Sequence, residues 1–242
     1  MQIIGHRGGR NLWPENSLYG FQQVADMPIH GVEFDVHLTT AGELLVIHDA
    51  LLDRTTHQTG AVADLPPGAR HDVQLKGENG GSLPNLEEVL TILGPTRLEL
   101  HIELKASLSG QPYAGLERRT AAIVDALGLE ERSILTSFQP QVLRTVREVA
   151  PHIRTLSSFD RNSSQRTGLI SGLREMLEVS DVIAVQKDLL SAHWDEIIEV
   201  VPCESLGVWV PNEPEDLRFW LAKPIRQLTT DRPDLALAFS SS

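Results

Sequence analysis

Hydrophobic and polar positions follow two different periods along this 242-residue chain. Short apolar runs, typical of buried strands, alternate with stretches whose apolar residues recur about every three or four positions, as in amphipathic helices. The short runs predict strands over 2–6, 31–36, 43–48, 97–104, 133–137, 153–157, 182–186, 205–210 and 224–230. The periodic stretches predict helices over 17–27, 85–93, 115–127, 140–150, 169–179, 191–201, 213–222 and 232–239.

Strand–helix units in regular alternation predict an α/β fold, a (β/α)8 TIM barrel with a small insertion after the second strand. An open doubly wound sheet is the competing architecture. It usually carries a glycine-rich phosphate loop after its first strand, and neither G-x-G-x-x-G nor a P-loop occurs at that place. The apolar hairpin TTAGELLVIHD is followed by turn-rich residues over 50–84. We therefore predict one catalytic barrel over 1–242, with 50–84 as a short insertion.

Charge and cysteine content narrow the classes of function. The net charge of −12, without a stripe of lysine and arginine, argues against a nucleic-acid partner. Cys203 is the only cysteine, so a secreted scaffold held by internal disulfides is excluded. Neither a signal-peptide pattern nor an apolar run of about 18 residues occurs, which predicts a cytoplasmic protein without stable membrane association. The oligomeric state stays open.

Acidic side chains occupy the strand ends at which a barrel builds its active site. Side-chain alternation places Glu33 and Asp35 on one face of the second strand, and Glu103 ends the next barrel strand. Converging carboxylates repel one another unless one is protonated or a cation lies between them. Oxygen ligands select a hard ion, so we predict one divalent cation, Mg²⁺ or Ca²⁺. His37 and His101 share these faces, and their role stays open between support of the site and packing.

Two histidines and two cations complete this predicted cluster. His6 and His48 each end an apolar run, and such a pair can remove one proton and donate another near neutral pH. The planar guanidinium of Arg7 suits a phosphate, and Lys105 is the second positive group nearby. A metal, two cations and two histidines together indicate a phosphoryl-transfer site.

The chain resembles the glycerophosphodiester phosphodiesterases in five stretches: GHRGGRNLWPENSLYGF, GVEFDVHLTTAGELLVIHDALLDRTTHQTG, LPNLEEVL, LHIELK and QLTTDRPD. They extend from residue 5 to residue 234, and the ordered pattern HR, E-x-D, HD, E-x-K is the specific part. The resemblance implies a cation held by Glu33, Asp35 and Glu103, acid–base chemistry by His6 and His48, and phosphate contacts by Arg7 and Lys105. It also implies attack by the glycerol 2-hydroxyl through a cyclic phosphate, which water opens to glycerol 3-phosphate. Which histidine is the acid stays undecided.

Three further positions match the family. Glu15 and Asn16 match its EN pair, which implies that they order the first loop and the site. Trp209 matches a position where an aromatic residue often lines the pocket, with ordinary barrel packing as the alternative. Two other functions are weighed against hydrolysis of a small glycerophosphodiester: a lysophospholipase D-like or other lipid phosphodiesterase of the same superfamily, and a non-catalytic barrel that binds a phosphorylated ligand. A binder has no need of both histidines, which favours the enzyme.

Overall fold

A computed structural model describes residues 1–240 of the protein. Its strands are β1 (Gln2–His6), β2 (Gly31–Leu38), β3 (Leu44–Val46), β4 (Glu99–Leu104), β5 (Ser133–Ser137), β6 (Arg154–Phe159), β7 (Val182–Gln186), β8 (Leu206–Trp209) and β9 (Gln227–Thr230). Its α-helices are α1 (Leu18–Ala25), α2 (Leu86–Leu93), α3 (Leu116–Ala126), α4 (Pro140–Val149), α5 (Arg161–Thr167), α6 (Leu169–Leu177), α7 (Lys187–Ala192), α8 (Trp194–Ile198), α9 (Pro214–Leu221) and α10 (Pro233–Ser240).

Eight parallel strands close into a ring. The strand order is β1-β9-β8-β7-β6-β5-β4-β2, and β1 also pairs with β2. The short strand β3 pairs antiparallel with β2 outside the ring, with Val46 opposite Val36. The predicted TIM barrel is therefore confirmed.

The two faces of each barrel strand serve different layers. On β2, Val32 and Phe34 belong to the large core between the strands and the helices. The alternate residues Glu33 and Asp35 are buried among the polar groups inside the barrel. A small apolar cluster fills another part of the interior and consists of Ile134, Leu156, Val182 and Ala184, with Trp209 packed against it. The barrel mouth is consequently polar on one side and apolar on the other.

The segment between β3 and α2 builds a second, smaller core. Its buried residues are Leu45, Ile47, Leu52, Val62, Val73, Leu75 and Leu83. Two single-turn 3₁₀-helices lie within it, at Val62–Asp64 and Ala69–His71. The assignment of 1–242 to one domain, with 50–84 as its insertion, stays a prediction, and residues 241 and 242 lie outside the described part.

The helix predicted over 191–201 is wrong. The structure has two short helices, α7 and α8, which are separated at His193 because its φ of −128° and ψ of 31° are not helical. The apolar positions of both helices lie close enough in sequence to imitate one continuous period.

Helix α5 was absent from the sequence prediction. Its sequence RNSSQRT has no apolar side chain, so no hydrophobic period marks it. The helix begins where the Asp160 carboxylate accepts a hydrogen bond from the Ser163 backbone N–H, an N-cap that polar residues form readily. Within residues 1–240, no helix has both the length and the apolar composition that a membrane crossing requires.

Candidate active site

Three carboxylates from two adjacent strands meet inside the barrel mouth. In the register of the sheet, His6 lies beside Glu33, and Asp35 lies beside Glu103. One oxygen each from Glu33, Asp35 and Glu103 can be chosen so that all three lie within 4.8 Å of one another. Among the described residues, the buried Glu33 Oε1 has no hydrogen-bond partner. An unpartnered carboxylate oxygen inside an all-oxygen cluster fits a hard divalent cation.

Two cations already lie against these carboxylates. Lys105 Nζ is 2.7 Å from Glu103 Oε1 and 3.4 Å from Asp35 Oδ1, and Arg7 Nε is 3.4 Å from Asp35 Oδ2. Burial opposes ionisation of Asp35, but Lys105 and Arg7 hold its pKa well below the usual range. Burial, reinforced by Asp35 and Glu103, raises the pKa of Glu33. Glu33 is thus the carboxylate that a further positive charge would stabilise most.

His6 is held by an acidic residue that the sequence analysis missed. His6 Nδ1 lies 2.5 Å from Oδ1 of Asp231, which follows β9, and Asn212 Nδ2 donates to Asp231 Oδ2 at 2.7 Å. Because a carboxylate only accepts, Nδ1 of His6 carries the hydrogen and Nε2 is left to exchange a proton. His6 Nε2 lies 3.7 Å from Glu33 Oε2. The signal that could have found Asp231 is its place at the carboxyl end of the last strand, inside QLTTDRPD.

His48 has the same arrangement on the opposite side of the cluster. It lies in the loop after β3, not in the predicted strand over 43–48, and its Nδ1 is 2.5 Å from Asp49 Oδ1. Burial lowers the pKa of His48 although Asp35 and Asp49 attract a proton to it. Asp49 was quoted in the HD motif but was not assigned a role from the sequence. Each histidine therefore has its ring fixed through Nδ1 by a carboxylate, which leaves Nε2 as the nitrogen that can exchange a proton.

His37 supports the His48 loop from below. Its Nε2 lies 3.1 Å from the His48 carbonyl oxygen, and its Nδ1 lies 2.9 Å from the Tyr113 hydroxyl. The carbonyl only accepts, so Nε2 donates to it and Nδ1 accepts from Tyr113. Burial lowers the pKa of His37 to about 4, which keeps the ring neutral at pH 7. His37 thus orients the backbone that carries His48.

His101 lies deeper in the barrel. Its Nε2 is 2.8 Å from Oε1 of Glu99, which begins β4 and also binds Arg226 and Arg154. This group of charges lies toward the amino-terminal end of the barrel, away from the strand ends that carry the carboxylate cluster. His101 thus takes part in a buried ionic network, and it also lines the cavity that contains His6 and His48.

Arg54, in the insertion, joins the loop after β1, which carries Glu15, to the loop after β3, which carries Asp49. Arg54 Nε donates to Asp49 Oδ2 at 2.6 Å, and its two terminal nitrogens donate to the Glu15 carboxylate at 2.8 Å each. Glu15 also accepts from Arg7 Nη1 at 3.1 Å. The sequence analysis missed Arg54, because nothing local shows that it reaches two separate loops. Glu15 thus connects the first loop to Arg7 and Arg54, and its role in ordering the active site stays a prediction.

Asn16 contributes to the same loop from a left-handed backbone conformation. Its φ is 54°, a region that asparagine adopts more readily than most other non-glycine residues. Its side-chain amide donates to Asp35 Oδ2 at 2.9 Å. Asn16 therefore fixes one carboxylate of the cluster.

A cavity of about 350 Å³ opens above the cluster. Both histidines line it, together with Arg7, Glu33, Glu103, Phe138, Ser158, Trp209, Gln227 and Thr229. Trp209 faces this cavity and also packs on the barrel, since its Nε1 donates to the Ala184 carbonyl at 3.0 Å and its ring meets Phe138 edge to face. Contact of Trp209 with substrate stays a prediction.

Comparison with known proteins identifies the family. The profile of the glycerophosphoryl diester phosphodiesterase family matches residues 6–235. This chain belongs to that family. Membership confirms the resemblance seen in the sequence and the predicted enzyme class, a phosphoric diester hydrolase.

Individual relatives agree with this assignment. The chain is 30% identical over 248 residues to a glycerophosphodiester phosphodiesterase of Caldanaerobacter subterraneus subsp. tengcongensis, covering 96% of this chain and 94% of that protein. A crystal structure of a putative glycerophosphoryl diester phosphodiesterase from Agrobacterium tumefaciens superimposes with a TM-score of 0.91 at 25% identity, covering 100% of this chain and 97% of the other. An Oleispira antarctica phosphodiesterase, solved in complex with the product sn-glycerol-3-phosphate, shares the fold at a TM-score of 0.78 and 21% identity, covering 100% and 97%.

The place of Arg54 in this phosphodiesterase predicts a kinetic effect. We expect Arg54→Gln to lower kcat/KM about 10- to 100-fold, because residues that orient a catalytic group contribute on this scale. Arg54→Lys should recover only part of the loss, since an ammonium cannot reproduce the four hydrogen bonds to Asp49 and Glu15. Arg144→Gln is the matched control: the Arg144 side chain is 47% exposed and ion-paired with Glu175, against 45% for Arg54. Wild-type kinetics in Arg54→Gln would contradict the prediction.

Proposed function

We propose that this chain hydrolyses glycerophosphodiesters to glycerol 3-phosphate and an alcohol, with one divalent cation and His6 and His48 as acid and base. The observation that carries the proposal is the pair of histidines, each held through Nδ1 by a carboxylate at 2.5 Å. Both line the cavity that adjoins the three-carboxylate cluster. The activities for which the relatives are named support it: the sequence relative is a glycerophosphodiester phosphodiesterase, and one structural neighbour is a phosphodiesterase in complex with the product sn-glycerol-3-phosphate.

The residues of the cluster fit a metal. Glu33, Asp35 and Glu103 would hold it, and their oxygen-only chemistry favours Mg²⁺ or Ca²⁺ over zinc. When bound, such an ion neutralises charge on the phosphoryl oxygens and polarises the phosphorus–oxygen bonds. Arg7 and Lys105 lie beside the cluster, and we propose that they face the phosphate.

The remaining chemistry belongs to the two histidines. Nε2 of one takes the proton of the attacking glycerol 2-hydroxyl, and Nε2 of the other donates a proton to the leaving oxygen. The histidines then exchange roles as water opens the cyclic phosphate. Asp231 and Asp49 stabilise each imidazolium as it forms and keep the ring in one orientation.

The carboxylate partners give a test of which histidine is the base. Asp49 attracts a proton to His48, so Asp49→Asn should lower the pKa of His48 further. The acidic limb of the pH profile of kcat/KM moves to lower pH if His48 is the base, and the alkaline limb moves if it is the acid. A profile in which neither limb moves in Asp49→Asn would contradict a role of His48 as acid or base.

Direct assay tests the reaction itself. The wild-type protein with Mg²⁺ or Ca²⁺ is incubated with glycerophosphoethanol and with glycerophosphocholine, and glycerol 3-phosphate is measured by an enzyme-coupled assay. Release from either ester supports the proposal. Binding of glycerol 3-phosphate without turnover of any ester would favour the non-catalytic barrel, and turnover of lysophospholipids alone would favour the lipid phosphodiesterase.

The single cysteine is compatible with a reducing compartment, and we propose the cytoplasm as the location.

A further inference from the structure

A second pocket adjoins the catalytic cavity and opens to the surface. It has a volume of about 470 Å³ and shares His48, Glu103 and Phe138 with the inner cavity. One wall begins the insertion, at Ala50 and Leu51, and the other is the loop after β4, with Ala106 and Leu108. We call this pocket the outer groove. Its position beside His48 makes it continuous with the place where the phosphodiester would be cleaved.

The distal part of the outer groove is apolar. Leu51 is 37% exposed and Leu108 is 63% exposed, and both line this groove. Exposed leucines that occur singly need no explanation. Two of them in the lining of one groove, which Ala50, Ala106 and Phe138 also line, provide apolar area that favours an apolar ligand.

The charges of the outer groove are already paired. Asp49 binds His48 and Arg54, and Glu103 binds Lys105. Among the described residues that line the groove, these two are the only carboxylates. An ammonium group would therefore find no unpaired negative charge here and would lie near the Lys105 ammonium.

The walls of the outer groove are ordered by their own hydrogen bonds. In the loop after β4, the Ser107 N–H donates to the Gln111 carbonyl at 2.9 Å, and Gln139 Nε2 donates to the Gly110 carbonyl at 2.9 Å. In the insertion, the Leu52 N–H donates to the Gly60 carbonyl at 2.9 Å. A preformed groove binds its ligand without first ordering its walls, which favours affinity.

Part of the inner cavity offers hydrogen-bonding partners, beside apolar residues such as Leu156 and Trp209. Ser158 and Thr229 contribute hydroxyl groups to it, and the buried Gln227 Nε2 has no hydrogen-bond partner among the described residues. Glycerol carries two free hydroxyls that need such partners when they are buried. The polar part of the substrate therefore matches the inner cavity, and the outer groove is left for the alcohol.

We propose that the outer groove binds the leaving alcohol of the phosphodiester and favours a neutral alcohol with an apolar chain over a small cationic amino alcohol. This inference rests on the proposed function, because a leaving alcohol exists only if the diester is cleaved beside His48. Leu51 and Leu108 then determine specificity through the burial of alkyl carbon.

The test is a homologous series of glycerophospho-n-alkyl esters, from ethyl through butyl and hexyl to octyl, assayed below micelle-forming concentrations with saturating Mg²⁺. A fully buried methylene changes affinity about fourfold and a half-buried one about twofold. We therefore expect kcat/KM to rise about two- to fourfold per methylene until the groove is filled. From butyl onward the leaving-group chemistry is constant, so the rise reports contact alone. Glycerophosphocholine should be a poorer substrate than the butyl ester.

Two variants test whether the groove causes the dependence of kcat/KM on alkyl chain length. Leu51→Asn combined with Leu108→Asn should flatten the chain-length dependence, so that kcat/KM for the octyl ester falls toward the value for the ethyl ester. Leu127→Asn is the matched control, because Leu127 is 46% exposed at the end of α3 and does not line the groove. Its slope should equal that of the wild type.

The outcomes separate the two proposals. Turnover of the ethyl ester with a flat series, a preference for glycerophosphocholine over the butyl ester, or an unchanged slope in the double variant overturns the groove assignment alone. If none of the esters is hydrolysed, the proposed function and the groove assignment are both overturned.

Discussion

Replacing His6 or His48 with alanine is expected to lower kcat for glycerol 3-phosphate release by about 10³- to 10⁴-fold, the upper range for loss of a positioned acid or base. Each ring is fixed through Nδ1 by a carboxylate, so each substitution would remove one of the two proposed proton-transfer groups from an ordered position. The double variant should lose little more than either single variant, because residues that act as a unit are not additive. Single-turnover and steady-state assays measure both effects.

Measurements of metal affinity distinguish the loss of an acid or base from a general disruption of the active site. Neither histidine belongs to the three-carboxylate cluster, so Mg²⁺ affinity measured by calorimetry should change little in the alanine variants. His152→Ala is the matched control, because the His152 side chain is 49% exposed and ion-paired with Asp125 far from the cavity. Unchanged kcat in His6→Ala and His48→Ala would reject acid–base chemistry by this pair.

Chelation is expected to abolish turnover, and Mg²⁺ or Ca²⁺ should restore it. Three carboxylates within 4.8 Å repel one another, and Glu33 Oε1 lacks a partner, so a bound cation removes an unfavourable charge arrangement. Glu33→Gln should raise the metal dissociation constant at least about tenfold, because a neutral amide replaces a charged ligand. The metal should also raise the melting temperature of the wild type, with about 2.7 kcal/mol of added stability at 100 times its Kd.

The melting temperature gives a readout that does not depend on activity. Glu175→Gln is a suitable control, since Glu175 is 37% exposed in a surface ion pair and should leave the metal response intact. A stripped protein that retains full activity, or a Glu33→Gln variant with wild-type metal affinity, would refute the metal assignment. Tighter binding of Zn²⁺ than of Mg²⁺ and Ca²⁺ would contradict the oxygen-ligand argument.

Three strands have the bounds that the sequence predicts. The predicted bounds 2–6, 133–137 and 182–186 agree with β1, β5 and β7, because each is a short apolar run flanked by turn or polar residues. The helix predicted over 191–201 is instead two helices. Helix α5 has no apolar face and depends on its Asp160 cap, so hydrophobic periodicity does not reveal it.

The carboxylate cluster could be predicted from local sequence rules. Alternation along β2 places Glu33 and Asp35 on one face wherever the strand lies, and Glu103 follows from the parallel register of β4. The partner of His6 could not be predicted in this way, whereas Asp49 is next to His48 in the chain. Asp231 is 225 residues from His6, and the two meet only because β9 pairs with β1 and closes the ring.

The sequence by itself determined the barrel, the metal-ligand candidates and the two histidines, because hydrophobic period and side-chain alternation act over a few residues and are written locally. Only the tertiary structure decided that Asp231 and Asp49 fix the histidine rings, that Arg54 joins two loops, and that Leu51 and Leu108 line one groove. The contact of Asp231 with His6 and the lining of the groove join segments far apart in the chain, and their geometry depends on ring closure and on the packing of the insertion. Asp49 is next to His48 in the chain, but only the folded loop shows that its carboxylate reaches Nδ1 of that ring. Such contacts leave no local period in the sequence.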